Sequence, residues 1–343
     1  MMSFTSQLQE IAAKISIDRD FIIHHLDYAP LPISPDVLVK FKQLSTQLQS
    51  KFTIDRLRNY LHDLYFKRSL LDLQQIASAN LETTAIKNQL IDGIDIDFYR
   101  QLQQSNTSHG YRDPDWQVIA ETDERELIVV KDGLHLHVSR HKHLPPECKQ
   151  ANIGETISIY LPHNLVERDT YLSIGNYGLP HQAASVQLYF NFTPDAAVAI
   201  VRKFTSELNQ LKIPFQFAIL HDPALFYRCD CGTLWLDVAH YSILRSLLAE
   251  IYHAYQTEFS PQVPLFTKLL APGLSIAEVP IAGSSVGMQR CELLATGLFT
   301  ACQSGQTAAD MLGIIERVLT EAGVDLAQPH LNPAGCDFYD KFG

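Results

Sequence analysis

The sequence predicts an α+β fold: a mixed or antiparallel sheet with helices packed on one face, preceded by a helical N-terminal segment. Three observations carry that expectation. Residues 186–258 run strand, helix, strand, strand, helix by their hydrophobic periodicity. Strands bounded by turn residues begin at Trp116, and the hundred residues before them follow helical spacing instead.

In that first stretch Leu44, Leu48 and Phe52, then Leu57, Leu61 and Leu64, recur at three- and four-residue steps, an amphipathic helical pattern. Pro30, Pro32 and Pro35 separate it from an opening helix. The polar run at residues 101–110 marks the expected boundary, giving a helical region over 1–110 and an α+β domain over 111–343. Residues 126–131 and 134–139 flank Asp132-Gly133, a two-residue hairpin signal, because type I′ turns need positive φ at both positions. Further strands are expected at 156–161 and 171–175.

Residues 186–192 alternate as a strand. Thr193-Pro194-Asp195 then opens a helix, with a hydroxyl to cap it, a proline in its first turn and an acid at the positive end of its dipole. Ala197, Val201, Phe204, Leu208 and Leu211 form its apolar stripe, and Pro214 ends it. Strands over 215–220 and 232–238 and a second amphipathic helix over 240–258 complete the unit.

Bulk properties narrow the function. A chain of 343 residues with 46% hydrophobic and 19% charged residues is globular, and its length suits roughly two domains. A net charge of −11 argues against nucleic acid or an anionic membrane as partner. There is no apolar run long enough to span a bilayer and no signal-peptide pattern at the start. Six cysteines in a chain of this length read as reduced thiols, so a cytoplasmic location is expected.

Several constellations bear on chemistry. Gly283-Ser284-Ser285-Val286-Gly287 has the letters of a nucleophile elbow. Too little chain follows for the rest of a hydrolase sheet, and His330 is the only histidine downstream, so a turn into a helix is the better reading. That helix start, with Arg290 on its first turn, also suits an anion. His135, His137, His141 and His143 gather near Cys148, but no metal-ligand spacing accompanies them and no metal is expected. Cys229-Asp230-Cys231 is read as buried packing. Lys268 sits among apolar residues before Pro272-Gly273, and Arg228 follows Phe226-Tyr227; each is either a snorkelling or salt-bridged residue or a phosphate ligand.

Residues 186–192 (VQLYFNF), 214–236 (PFQFAILHDPALFYRCDCGTLWL), 264–280 (PLFTKLLAPGLSIAEVP), 285–294 (SVGMQRCELL) and Leu331-Asn332-Pro333 together resemble the HopA type III effector family. The resemblance covers roughly residue 116 onward and implies an α+β fold. For members that act beside peptide-modifying kinases it implies a lyase role. The kinase phosphorylates serine or threonine in a ribosomally made precursor peptide, and the HopA-like protein eliminates phosphate to leave a dehydroamino acid. Such chemistry needs a base for the Cα proton, help for the leaving phosphate and donors for enolate-like charge, and no cofactor or metal.

On that reading Lys268 is the base or a phosphate ligand, His221 the general acid, and Arg228, Arg290 and Tyr227 hold phosphate. The family resemblance also implies arginine where this chain has Gln187 and lysine where it has Ala218. Those substitutions raise the alternative of a non-catalytic module that binds a peptide or protein.

Overall fold

The computed structural model describes residues 3–69, 90–91, 94–167, 169–181, 184–280, 285–304 and 308–342. The chain opens with helix α1 (Phe4–Lys14), capped by the Ser3 hydroxyl, and a small antiparallel sheet of β1 (Ile15–Ile17), β2 (Ile23–His25) and β3 (Tyr28–Leu31). Helices α2 (Pro35–Phe41) and α3 (Thr46–Leu61) follow, and α3 runs into a π-helical turn at His62–Phe66. The opening region is therefore not wholly helical, and its apolar stripe is only half right. Leu57 and Leu61 are fully buried, whereas Leu44 and Leu48 are exposed. A helical period marks which residues share a face; it does not say where along the helix the covering partner stops.

Strands β4 (Leu90–Ile91) and β5 (Ile94–Asp95) lead to α4 (Ile96–Ser105), capped by the Asp95 side chain. A four-stranded antiparallel sheet comes next, in the order β8-β7-β6-β9, from β6 (Tyr111–Glu121), β7 (Leu127–Lys131), β8 (Leu134–Val138) and β9 (Thr156–Leu161). Asp132 and Gly133 take φ of 50° and 81°, the pair of positive values the hairpin requires.

The main sheet has seven strands, all antiparallel: β10 (Asn164–Val166), β11 (Thr170–Ile174), β12 (Ser185–Phe190), β13 (Phe215–Leu220), β14 (Gly232–Asp237), β15 (Lys268–Ala271) and β16 (Leu274–Glu278). Their spatial order is β10-β11-β13-β14-β12-β16-β15. Helix α5 (Pro194–Gln210) leaves β12 through the expected cap, with Thr193 Oγ1 accepting from the Ala196 amide at 3.4 Å. Together with α6 (Tyr241–Ala254) it buries Val186, Leu188, Phe190, Phe215, Phe217 and Leu234 on one face of the sheet. Gly232 is fixed by this packing, since a Cβ there would lie 2.6 Å from Phe192.

The other face is also covered by helices. Helices α7 (Val286–Gln303) and α8 (Ala308–Glu321) share a core with α1, α3, Phe66, Tyr189 and Ala277. Residues on both sides of position 110 thus contribute to the same two cores, because Phe98 and Leu102 of α4 join the first. Among the described residues no helix is long and apolar enough to cross a membrane.

Three predictions follow from this packing. Leu294→Ala, at a fully buried α7 position in the core shared with Leu57, should cost about 2–5 kcal/mol. Chemical denaturation should remain one cooperative transition by both tryptophan fluorescence and circular dichroism; separate transitions would mean that the N-terminal helices are an independent unit. Third, burial pulls the His25, His163 and His330 imidazoles below their ordinary value of 6.5, keeping them neutral in the fold. The unfolded chain then binds more protons as pH falls below about 6.5, so stability present above that pH is lost beneath it. The urea midpoint should drop between about pH 7.5 and about pH 5.5, where an unchanged midpoint would count against neutral burial.

Candidate functional site

A cleft of about 510 Å³ opens along the β15 edge of the main sheet. Phe4, Gln7 and Glu10 of α1 form one wall, Tyr65 and Arg68 follow from the turn after α3, and residues 263–268 form the floor. His330 and Asp337, from the segment after α8, close the far side. A second cleft of about 540 Å³ lies on the four-stranded sheet. Arg125, Arg140 and Lys149 are among its lining, and Arg140 donates to the carbonyls of Arg125, Lys149 and Ala151 and pairs with Glu121 at 3.2 Å. That charge holds loops together, so the β15 cleft is the better candidate.

Lys268 is the first residue of β15, and its Nζ donates to both carboxylate oxygens of Asp337 at 2.7 and 2.6 Å. Burial pushes the Asp337 carboxyl up, but Lys268 and the Tyr339 amide more than offset it and hold it below the usual carboxylate value. His330 is 5% exposed, and its Nε2 lies 3.5 Å from Asp337 Oδ1, within ion-pair range but without a hydrogen bond. Burial lowers the His330 pKa although Asp337 opposes it.

The segment carrying these groups is anchored at several points. The Asn332 amide donates to Glu278 Oε2 at 2.8 Å, Tyr339 Oη donates to Glu278 Oε1 at 3.0 Å, and the Phe342 amide donates to the Leu270 carbonyl at 2.9 Å. Arg290 joins the same anchor. It is 3% exposed, the fifth residue of α7, and its Nη2 donates to the Leu331 carbonyl at 2.9 Å. Burial pulls its pKa down while Glu278 pushes it up.

The remaining expected site residues lie elsewhere. Arg228 is 7% exposed and forks onto Asp230, Nε to Oδ1 at 2.8 Å and Nη2 to Oδ2 at 2.7 Å, with Asp169 at 3.9 Å. Burial opposes the Arg228 charge, and Asp230 and Asp169 outweigh it, so the guanidinium is raised above its ordinary value. His221 is buried directly after β13, with its amide donating to the Asp169 carbonyl, and Tyr227 is half-buried in the same connection. Of the five residues expected to act together, only Lys268 lines the β15 cleft. Arg290 reaches its rim segment, and His221, Tyr227 and Arg228 gather between β13 and β14.

Strand register separates Gln187 and Ala218 from Lys268 as well. Directly paired residues share a face of a sheet. Lys268 pairs with Ile276, Ile276 with Leu188, Leu188 with Leu234 and Leu234 with Phe217. Gln187 pairs with Trp235 and Ala277, while Tyr189, two residues along, pairs with Thr233, which pairs with Ala218. Gln187 and Ala218 therefore share the face opposite Lys268. Tyr189 Oη donates to Gln187 Oε1 at 2.7 Å, so the amide is tied to its neighbour.

The other sequence signals resolve into structure. Ser285 caps α7, its Oγ accepting from the Met288 amide at 3.3 Å. A Cβ on Gly287 would lie 2.7 Å from the Phe66 ring and 2.8 Å from His62 Nε2, so this glycine permits close helix packing. Gly283 and Ser284 lie outside the described residues. His135 and His137 are exposed on β8, and no group of metal-ligating side chains is assembled among the described residues. Cys229 and Cys231 are buried thiols; burial pushes Cys229 up to about 12.

The cleft also holds residues that sequence reasoning passed over: Tyr65, Arg68, His330 and Asp337. Tyr65 and Arg68 sit in the helical region where motifs are weakest, and no local spacing links them to Lys268. His330 enters the sequence reading only as the one histidine downstream of Ser285. Its position beside Leu331-Asn332-Pro333, a segment already singled out, was the available signal.

Residues 161–331 match the HopA1 effector protein family. Among solved structures, the effector protein from Pseudomonas syringae pv. tomato strain DC3000 aligns with a TM-score of 0.40 and 20% identity, over 48% of this chain and 63% of that one. The effector protein from Pseudomonas syringae pv. syringae strain 61 aligns with a TM-score of 0.40 and 14% identity, over 84% of this chain and 98% of that one. This chain thus spans less than two thirds of the first of these structures. No curated protein matches. Across residues 161–331, this chain is a member of the HopA1 effector protein family.

Proposed function

We propose that this protein is a HopA-like recognition module that takes a phosphate-bearing peptide segment in the β15 cleft without turning it over. The observation that carries this reading is the contact between Lys268 and both oxygens of Asp337. At this edge of the sheet an ammonium already holds a two-oxygen anion, and a phosphate monoester presents the same pair of acceptors with more charge. Arg68 adds a second cation to the lining, and the buried His330 Nε2 makes no hydrogen bond there. Turnover would need more. The Arg228 fork is engaged by Asp230, Arg290 is 3% exposed with its Nη2 on the Leu331 carbonyl, and the opposite face carries Gln187 and Ala218 in place of cations.

A second reading is a phosphoserine or phosphothreonine lyase that forms dehydroamino acids in a precursor peptide after a separate kinase has acted. What favours it is the gathering of Lys268, His330 and Tyr65 in one cleft, which supplies a candidate base and candidate acids. On either reading the phosphate displaces Asp337 from Lys268; for elimination the freed ammonium would also have to lose its proton before acting as base.

One experiment separates the two readings. A phosphothreonine peptide is titrated into the full chain and its mass followed. Binding without mass change, weakened about tenfold to a hundredfold by Lys268→Ala, supports recognition. Loss of phosphoric acid, abolished by Lys268→Ala, supports the lyase. Binding indifferent to Lys268→Ala would sink both.

A further inference from the structure

His25 ends β2 and is 7% exposed. The Asp27 backbone amide donates to its Nδ1 at 3.0 Å. A ring nitrogen that accepts a hydrogen bond carries no proton, so the proton of the neutral imidazole sits on Nε2. Nε2 lies 2.9 Å from Tyr65 Oη, and in this tautomer it must be the donor. Tyr65 Oη is therefore the acceptor, and its own O–H is directed away from His25. Tyr65 lines the β15 cleft, and its carbonyl accepts from the Leu265 amide at 3.3 Å, tying the tyrosine to the cleft floor. Burial supports both assignments: it lowers the His25 pKa, so the ring stays neutral, and raises that of Tyr65, so the phenol stays a donor.

We infer that the Tyr65 O–H is a ligand-directed donor of the β15 cleft, aimed at a phosphate-monoester oxygen beside Lys268, and that His25 is the positioning residue that sets its direction. This inference rests on the anion-binding reading of the cleft and deepens it. Lys268 attracts negative charge from any direction, whereas a hydroxyl held by a second hydrogen bond has a fixed direction and selects where an oxygen sits. Each acid of the cleft already has a cation of its own, Glu10 pairing with Lys14 at 2.7 Å and Asp337 with Lys268.

The test is calorimetric titration of the full chain with inorganic phosphate and, separately, with a phosphothreonine peptide. Tyr65→Phe should weaken binding about tenfold or more, the loss of one hydrogen bond to a charged acceptor. His25→Phe should also weaken it, and the double variant should bind no worse than Tyr65→Phe alone, because His25 acts through Tyr65. His25→Gln, which returns an amide donor, should recover part of the loss. That recovery separates positioning from a mere packing role and keeps the test intact if His25→Phe fails to fold.

Tyr65 dependence seen with inorganic phosphate alone would support the donor and assign the free anion as its source. Wild-type affinity in Tyr65→Phe, alongside a loss in Lys268→Ala, would overturn this inference and leave the cleft reading standing. Additive losses for His25→Phe and Tyr65→Phe would overturn the positioning role. No binding of either probe by the wild-type protein would overturn both readings.

Discussion

Strand β12 lies between β14 and β16, and nearly all of its side chains are buried; the rest of the fold is arranged around that constraint. Val186, Leu188 and Phe190 face α5 and α6, while Tyr189 on the other side meets Phe66 and the α7 layer. A strand apolar on both faces needs two helical layers, because either face left open would expose several large side chains to water. The N-terminal helices supply part of the second layer. In placing Phe66 against Tyr189 they also bring Tyr65 and Arg68 to the β15 edge. The cleft is thus a by-product of closing the second core.

Charge is used inside this protein mainly to hold chain segments. Arg290 and Glu278 are both buried, and both bind the segment after α8, the former through the Leu331 carbonyl and the latter through Asn332 and Tyr339. Arg228 does the same between β13 and β14 with Asp230. A buried guanidinium left without such partners would be heavily penalised, so these residues are poor candidates for a site that must be vacant before its ligand arrives. Lys268 differs because its partner pair is less deeply buried and sits in an open cleft.

Local chemistry made much of the fold legible. The Asp132-Gly133 turn and the Thr193 cap depend on neighbours in sequence, and both formed as their residues dictate. In α5, Ala197, Val201, Phe204 and Leu208 are buried as their spacing requires; Leu211, at the C-cap, is exposed because the helix ends there. The covering of the second sheet face was not legible, since it joins residues near 60 to residues near 290. The candidate site divides the same way. Arg228 and Asp230 are two residues apart, so their pairing could have been anticipated. The acid that meets Lys268 stands at 337, and the acceptor for Arg290 is a backbone carbonyl, which no side-chain pattern reveals.

The shared core of α3 and α7 has a consequence for how the protein is made. The apolar side of α3 leaves the ribosome roughly 200 residues before the helix that covers it. At the usual pace of synthesis that interval is on the order of ten to forty seconds. Throughout it Leu57 and Leu61 lack the α7 part of their core. The growing chain must shelter them by transient collapse or by chaperone binding, and its yield in the cell depends on how well that interval is bridged.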